Sequence, residues 1–232
     1  MGEQKMINAL RYLFTIIALG PLAVAANELS PPVRMGAGIM TFDTVPGWGL
    51  RPDGRSALGP THGSVVIDEA GNIYTSAAKG VVVFSPDGKV VQSYLGDAYA
   101  NIHDMEIRTE GDAEYIYGAR NNDAEGIKFD AHSGKIVLKL PFPKDSGLGL
   151  KDFKPTAITV APNGDIFLSN GYASNHIFKF DQDGKYLMHF GSKGNGLKQF
   201  NTAHGTVSYT HLRAHETYLL ISYAVFCLKK GG

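Results

Sequence analysis

One short β-rich unit recurs three times along this chain and begins a fourth time, and that repetition restricts the fold more than any other feature. The first unit runs His62-Gly63-Ser64-Val65-Val66-Ile67, then Gly71-Asn72-Ile73-Tyr74, then Val83-Phe84-Ser85-Pro86-Asp87-Gly88-Lys89. The second runs His103-Asp104-Met105-Glu106-Ile107, Tyr115-Ile116-Tyr117 and Ile127-Lys128-Phe129-Asp130, closing at Ser133-Gly134-Lys135. The third runs Pro155-Thr156-Ala157-Ile158-Thr159-Val160, Asn163-Gly164-Asp165-Ile166-Phe167 and Ile177-Phe178-Lys179-Phe180-Asp181, closing at Asp183-Gly184-Lys185. A fourth opens at Ala203-His204-Gly205. Alternating side chains read as strands, and the Asn-Gly and Asp-Gly pairs supply hairpin turns because they tolerate positive φ.

A period of roughly forty to fifty residues with several short strands per unit marks a β-propeller. Equivalent positions of successive units then ring one axis. Histidines open units one, two and four, so His62, His103 and His204 are candidates to converge there. A closed six-bladed propeller needs roughly forty residues or more for each blade. The expected fold is therefore all-β: about three blades and the start of a fourth, an open arc with unpaired edges that invite aggregation.

Both ends of the 232-residue chain are expected to stand outside the repeat. Residues 1–26 combine Lys5 and Arg11, an apolar run from Tyr12 to Val24, and the small residues Ala25 and Ala26, the pattern of a secretory signal peptide. The run is broken by Gly20-Pro21 and is shorter than the ~20 residues of a membrane span. The expected location is secreted or periplasmic, with no membrane attachment after cleavage. Val207–Thr217 and Ile221–Leu228 resemble, in order and in one frame, the translation of two parts of a transposon-end sequencing adapter. Residues 206–232 are thus expected to be an artefactual tail, which leaves 27–205 as the partial propeller. The single cysteine, Cys227, falls in that tail with His211 and His215, so no disulfide or thiolate metal site is expected. Formal net charge is zero with both signs mixed, which leaves no basic field for nucleic acid.

Between the units, Met35–Phe42 reads as a strand, the outer strand of a blade, and Val45–Pro60 as a Gly/Pro-rich loop. Unit two carries an insert, Ala119–Glu125. Insertions in repeat proteins fall on loops and shape binding faces. Trp48 and the stretch Arg120–Asn122 are candidates for a ligand mouth, with Arg120 placed to receive an anionic substrate group.

Residues Phe153–Gly205 resemble the NHL-repeat propellers. The likeness is carried by Pro155-Thr156-Ala157-Ile158-Thr159-Val160-Ala161-Pro162-Asn163-Gly164-Asp165-Ile166-Phe167, by Phe180-Asp181-Gln182-Asp183-Gly184-Lys185 and by Phe190-Gly191-Ser192-Lys193-Gly194. Weaker copies cover 62–96 and 103–135. Within that group, Asn170-Gly171-Tyr172-Ala173-Ser174-Asn175-His176-Ile177 is similar to the Asp-Gly-Tyr segment of the peptidyl-α-hydroxyglycine α-amidating lyases. The resemblance implies a six-bladed propeller with an axial zinc on three histidines, a structural calcium, and a catalytic tyrosine and arginine. It also implies cleavage of a peptidyl-α-hydroxyglycine to a peptide amide and glyoxylate. Tyr172 then falls at the catalytic tyrosine, and His103 and His204 at zinc histidines on the flanking units. This chain departs from the family at Asn170, where an acidic residue is usual. The family's arginine also has no counterpart; Arg51 and Arg55 do not align, and His62 occupies that neighbourhood.

An imidazole at the rim of a propeller channel is a zinc ligand or a histidine bonded to backbone, and three at one phase of a repeat favour the ligand. Three protein ligands leave a position open for water or substrate, and a neighbouring phenol, Tyr172, can serve in proton transfer. His132, His176 and His189 read as turn or outer-strand residues. Asp104 reads as an exposed turn carboxylate, with calcium support or ring orientation as its functional alternatives. Three function classes follow: a zinc-dependent lyase, a non-catalytic propeller that binds a peptide, glycan or protein partner, and a calcium-dependent hydrolase. The histidine phase disfavours the third. A chain of this length is expected to be inactive on its own.

Overall fold

The computed structural model describes residues 30–209, apart from Pro52, Pro60, His62 and Gly63, together with 223–227. The expected signal peptide and His62 therefore lie outside the described residues. Three four-stranded antiparallel sheets follow one another along the chain. Blade one holds β3 (Val65–Ile67), β4 (Ile73–Ala77), β5 (Gly80–Phe84) and β6 (Val90–Leu95). Blade two holds β7 (Ile102–Glu110), β8 (Ala113–Arg120), β9 (Glu125–Asp130) and β10 (Ile136–Pro141). Blade three holds β11 (Ala157–Val160), β12 (Ile166–Ser169), β13 (His176–Phe180) and β14 (Tyr186–Gly191). In each, strands pair in chain order, so the first strand lies at one edge and the fourth at the other.

The first strands touch one another in series, β3 on β7, β7 on β11, and β11 on β15 (Gly205–Tyr209). They form the inner wall of the arc, which is the propeller arrangement that the repeat implies. Side chains bridge the backbone edges that face the axis. The Ser64 hydroxyl donates to Met105 O at 3.1 Å, and Ile158 N–H donates to Asp104 Oδ2 at 3.0 Å. Without such partners, an inner strand would leave buried donors unpaired.

The apolar cores lie between blades. Val81, Val83, Tyr94, Ile116 and Phe129 fill the junction of blades one and two. Tyr117, Leu140, Phe153, Ile158 and Phe178 fill the junction of blades two and three. All three sheets also carry the same irregularity, a register shift at the third hairpin, at Val83/Phe84, Ile136/Leu138 and Lys179/Phe180. The Asp-Gly turns behave as expected, with Gly88 at φ 82° and Gly184 at φ 81°.

Several sequence expectations change. The stretch Met35–Phe42 is no blade strand. It forms a separate hairpin of β1 (Arg34–Ala37) and β2 (Met40–Asp43), paired only with itself. The insert in unit two dissolves into longer strands: Ala119 and Arg120 end β8, Glu125 begins β9, and a turn joins them. Trp48 packs on the Phe84 ring at 5.0 Å and donates its indole N–H to Pro86 O at 3.2 Å, at the outer turn of blade one and away from the axis. β15 pairs with β16 (Tyr223–Cys227) in parallel, unlike the antiparallel sheets before it.

Candidate functional site

Three side chains from three successive units meet at the inner wall. His103 is the second residue of β7, Tyr172 lies in the loop after β12, and His204 directly precedes β15. The Tyr172 hydroxyl lies 3.2 Å from His103 Nε2 and 2.8 Å from His204 Nε2. The two imidazole centroids are 4.8 Å apart. The tyrosine centroid is 5.1 Å from that of His103 and 5.3 Å from that of His204. His103 is buried at 7% exposure, whereas Tyr172 is 46% exposed, so the group opens to solvent on the tyrosine side.

The protons can be assigned in part. His103 Nδ1 lies 2.8 Å from the carbonyl oxygen of Thr156, which only accepts. Nδ1 therefore carries a proton, and in the neutral ring Nε2 presents its lone pair toward Tyr172. That is the tautomer of a metal-ligating histidine held by a backbone carbonyl. The phenol has one proton for two imidazole neighbours. It donates to the His103 Nε2 lone pair and accepts from His204 Nε2–H.

Two loop features hold Tyr172. Asn170 is fully buried; its amide donates to Ser174 Oγ at 2.6 Å and to Asp152 O, and its oxygen accepts from Lys154 N–H. An aspartate could not make the two donations, so the departure from the acidic residue supplies a loop clamp. Gly171 lies against the next unit, and a Cβ there would come within 2.3 Å of Ala203 O.

A cavity of about 170 Å³ adjoins the group and is lined by Asn101, Ile102, His103, Asn121, Asn122 and Tyr172 among others. The expected mouth residues Asn121 and Asn122 thus reach it. Arg120, expected to receive substrate, is buried at 3% exposure beneath. Its Nε donates to Ala100 O at 3.0 Å, and the remaining nitrogens engage Glu125, Asp97 O and Asp123. Its charge is already matched within the protein, and it is not on the cavity wall. Asp104 points across to blade three rather than to the His103 ring. Burial pushes its carboxyl up to about 6, against the Ile158 N–H and Ser64 hydroxyl that favour the anion. His132 lies 3.3 Å from Glu114, and His176 and His189 form a separate pair on β13 and β14.

Among the described residues, no group of three or more His, Cys, Asp or Glu side chains is gathered to hold a metal. His103 and His204 supply two imidazoles whose Nε2 atoms both face the Tyr172 hydroxyl. Sequence reasoning reached His103, Tyr172 and His204 but passed over Thr156, which binds the His103 ring.

The sequence similarity is to amidating lyases. The chain is 31% identical over 127 residues to a probable peptidyl-alpha-hydroxyglycine alpha-amidating lyase of Caenorhabditis elegans, covering 54% of this chain and 32% of that protein. It is 36% identical over 58 residues to peptidyl-alpha-hydroxyglycine alpha-amidating lyase 1 of Drosophila melanogaster, covering 25% of this chain and 11% of that one. The chain thus spans a third or less of the length of these two relatives. No family model matches it. Among solved structures, the WD40 domain of Neurospora crassa Pan2 aligns at 12% identity over 79% of this chain and 50% of that one, with a TM-score of 0.47.

Proposed function

We propose that this arc carries the imidazole–phenol part of a zinc-dependent peptidyl-α-hydroxyglycine amidating-lyase site in a secreted protein. The observation that carries the reading is the Tyr172 hydroxyl held between His103 Nε2 and His204 Nε2, at 3.2 and 2.8 Å. The lyase similarity supports the choice of reaction.

In that reaction the hydroxyl proton of the α-hydroxyglycine leaves and its oxygen becomes the aldehyde of glyoxylate. The C–N bond breaks with its electron pair on nitrogen, and nitrogen takes a proton to become the peptide amide. Tyr172, flanked by two imidazoles, is the group placed to take the first proton and to return one to nitrogen. Zinc held by His103 and His204 would supply the positive charge that favours loss of the hydroxyl proton. Nothing on the described cavity wall provides the cation the family pattern calls for, since Arg120 is engaged elsewhere. The chain by itself is therefore proposed to be inactive.

The test is glyoxylate release from a synthetic α-hydroxyglycine peptide. No release is expected from this chain. Release is expected from a longer protein in which this arc is part of a closed propeller, and is lost in its Tyr172→Phe form. Full activity in that Tyr172→Phe protein would overturn the assignment.

A further inference from the structure

The third unit is the one that opens without a histidine, and the residue it places there, Thr156, bonds the His103 ring and the residues that precede Tyr172 and His204. Thr156 is fully buried. Its carbonyl oxygen accepts from His103 Nδ1 at 2.8 Å. Its hydroxyl donates to Ala203 O at 2.7 Å and accepts from Gly171 N–H at 3.0 Å. Its own N–H donates to Ser169 O at 2.8 Å, which anchors it to β12. Ala203 is the residue before His204, and Gly171 is the residue before Tyr172.

We propose that Thr156 is the positioning residue of this site, one side chain and one carbonyl that set His103, Tyr172 and His204 relative to each other across three units. The proposal rests on reading those three as a functional group. Each of the three is tied to Thr156 directly or through its immediate predecessor. The hydroxyl uses its one proton and a lone pair at once, an arrangement open to Thr and Ser and closed to Val. Space around it is tight: a Cβ on Gly171 would lie 2.9 Å from Thr156 Oγ1. Valine would keep the shape but leave Ala203 O and Gly171 N–H without their partner in a buried place. The ladder below does not replace this tie, because Ile158 and Val160 are held by Asp104 and Glu106 and not by residues of the site.

The experiment compares the full chain with Thr156→Val and Thr156→Ser, read by ring-to-ring NOEs among His103, Tyr172 and His204 and by zinc titration. Thr156→Val is expected to lose the Tyr172–His204 NOE and about tenfold in zinc affinity, the usual scale for removing a partner that orients a ligand. Thr156→Ser is expected to keep the NOE and to stay within about twofold of the parent affinity. Leu168→Ala, in the same blade and away from the group, controls for lost stability; it should lower the melting temperature and leave the NOEs unchanged. Unchanged ring contacts in a folded Thr156→Val protein would overturn the proposal. If that variant does not fold, hydrogen exchange on the unaltered chain decides: the Gly171 amide should exchange far more slowly than that of Ala173. Equal, fast exchange would overturn the proposal. A failed lyase assay would leave these results standing, and loss of the NOE without any zinc binding would separate the two readings.

Discussion

Two places in this molecule each bring together two imidazoles and a phenol. At the inner wall, His103 and His204 have centroids 4.8 Å apart with the Tyr172 hydroxyl between them. On the outer half of blade three, His176 and His189 also have centroids 4.8 Å apart, and Tyr186 bonds His189 Nδ1 at 2.6 Å. The outer trio comes from two neighbouring strands of one hairpin, where β13 and β14 must place such side chains side by side. The inner trio exists only because three separate units stack. The two also differ in where their nitrogens face. His176 Nδ1 is buried with no hydrogen-bond partner, and burial, then the neighbouring His189, holds its pKa below the ordinary histidine value. His103 is anchored on one nitrogen and presents the other toward a cavity. Ring proximity alone therefore says little. The arrangement that points to chemistry is an oriented ring, a facing lone pair and an opening.

The contrast can be broken most severely at Gly171. Gly171→Ala forces a Cβ to within 2.3 Å of Ala203 O, and we expect a stability loss of roughly 2–4 kcal/mol by denaturant unfolding. The equivalent change in the outer hairpin, Met188→Ala, should cost well under half of that, because Met188 is exposed.

A second expectation concerns pH. Asp104 has its folded-state pKa raised to about 6, so between its unfolded value and about 6 the folded chain keeps a proton that the unfolded chain has lost. Stability should be highest below pH ~4 for this group and fall as pH rises to about 6. Asp104→Asn removes that loss while keeping an oxygen for Ile158 N–H. It should be more stable than the parent by about 2 kcal/mol at pH 7, and level with it near pH 4. A variant that is less stable at pH 7 would contradict the assignment.

The outer pair should behave in the opposite sense. The pKa of His176 is lowered in the folded state, so its contribution is complete above the unfolded histidine value and is lost as pH falls below it. His176→Phe should flatten that acid limb in thermal melts and shift stability by about 1 kcal/mol or less.

Much of this was legible in the sequence, for identifiable reasons. The three sheets follow from turns such as Asn163-Gly164 and Asp183-Gly184, because a left-handed turn residue fixes where a hairpin reverses. His103 and His204 were legible because a repeat converts equal phase into nearness at the axis, and Tyr172 through the likeness of its segment, Asn170–Ile177, to the amidating lyases. Arg120 was read as a substrate group, yet it stands directly across β8 and β9 from Glu125, with Asp123 in the turn between. An arginine flanking a hairpin turn with two acids nearby is an ion pair by local geometry, and that signal was in the chain. Thr156 carried no such signal. Its hydroxyl acts on Ala203 and Gly171, whose nearness depends on how blades pack, and threonine is common where strands begin.

The most direct test of the inner group is zinc titration by calorimetry of the chain and of two paired variants, His103→Ala with His204→Ala, and His176→Ala with His189→Ala. Weak zinc binding is expected from the parent chain. It should fall by more than about tenfold in the first pair and stay unchanged in the second. Binding that survives loss of both inner imidazoles, or that disappears with the outer ones, would contradict the site described at the axis.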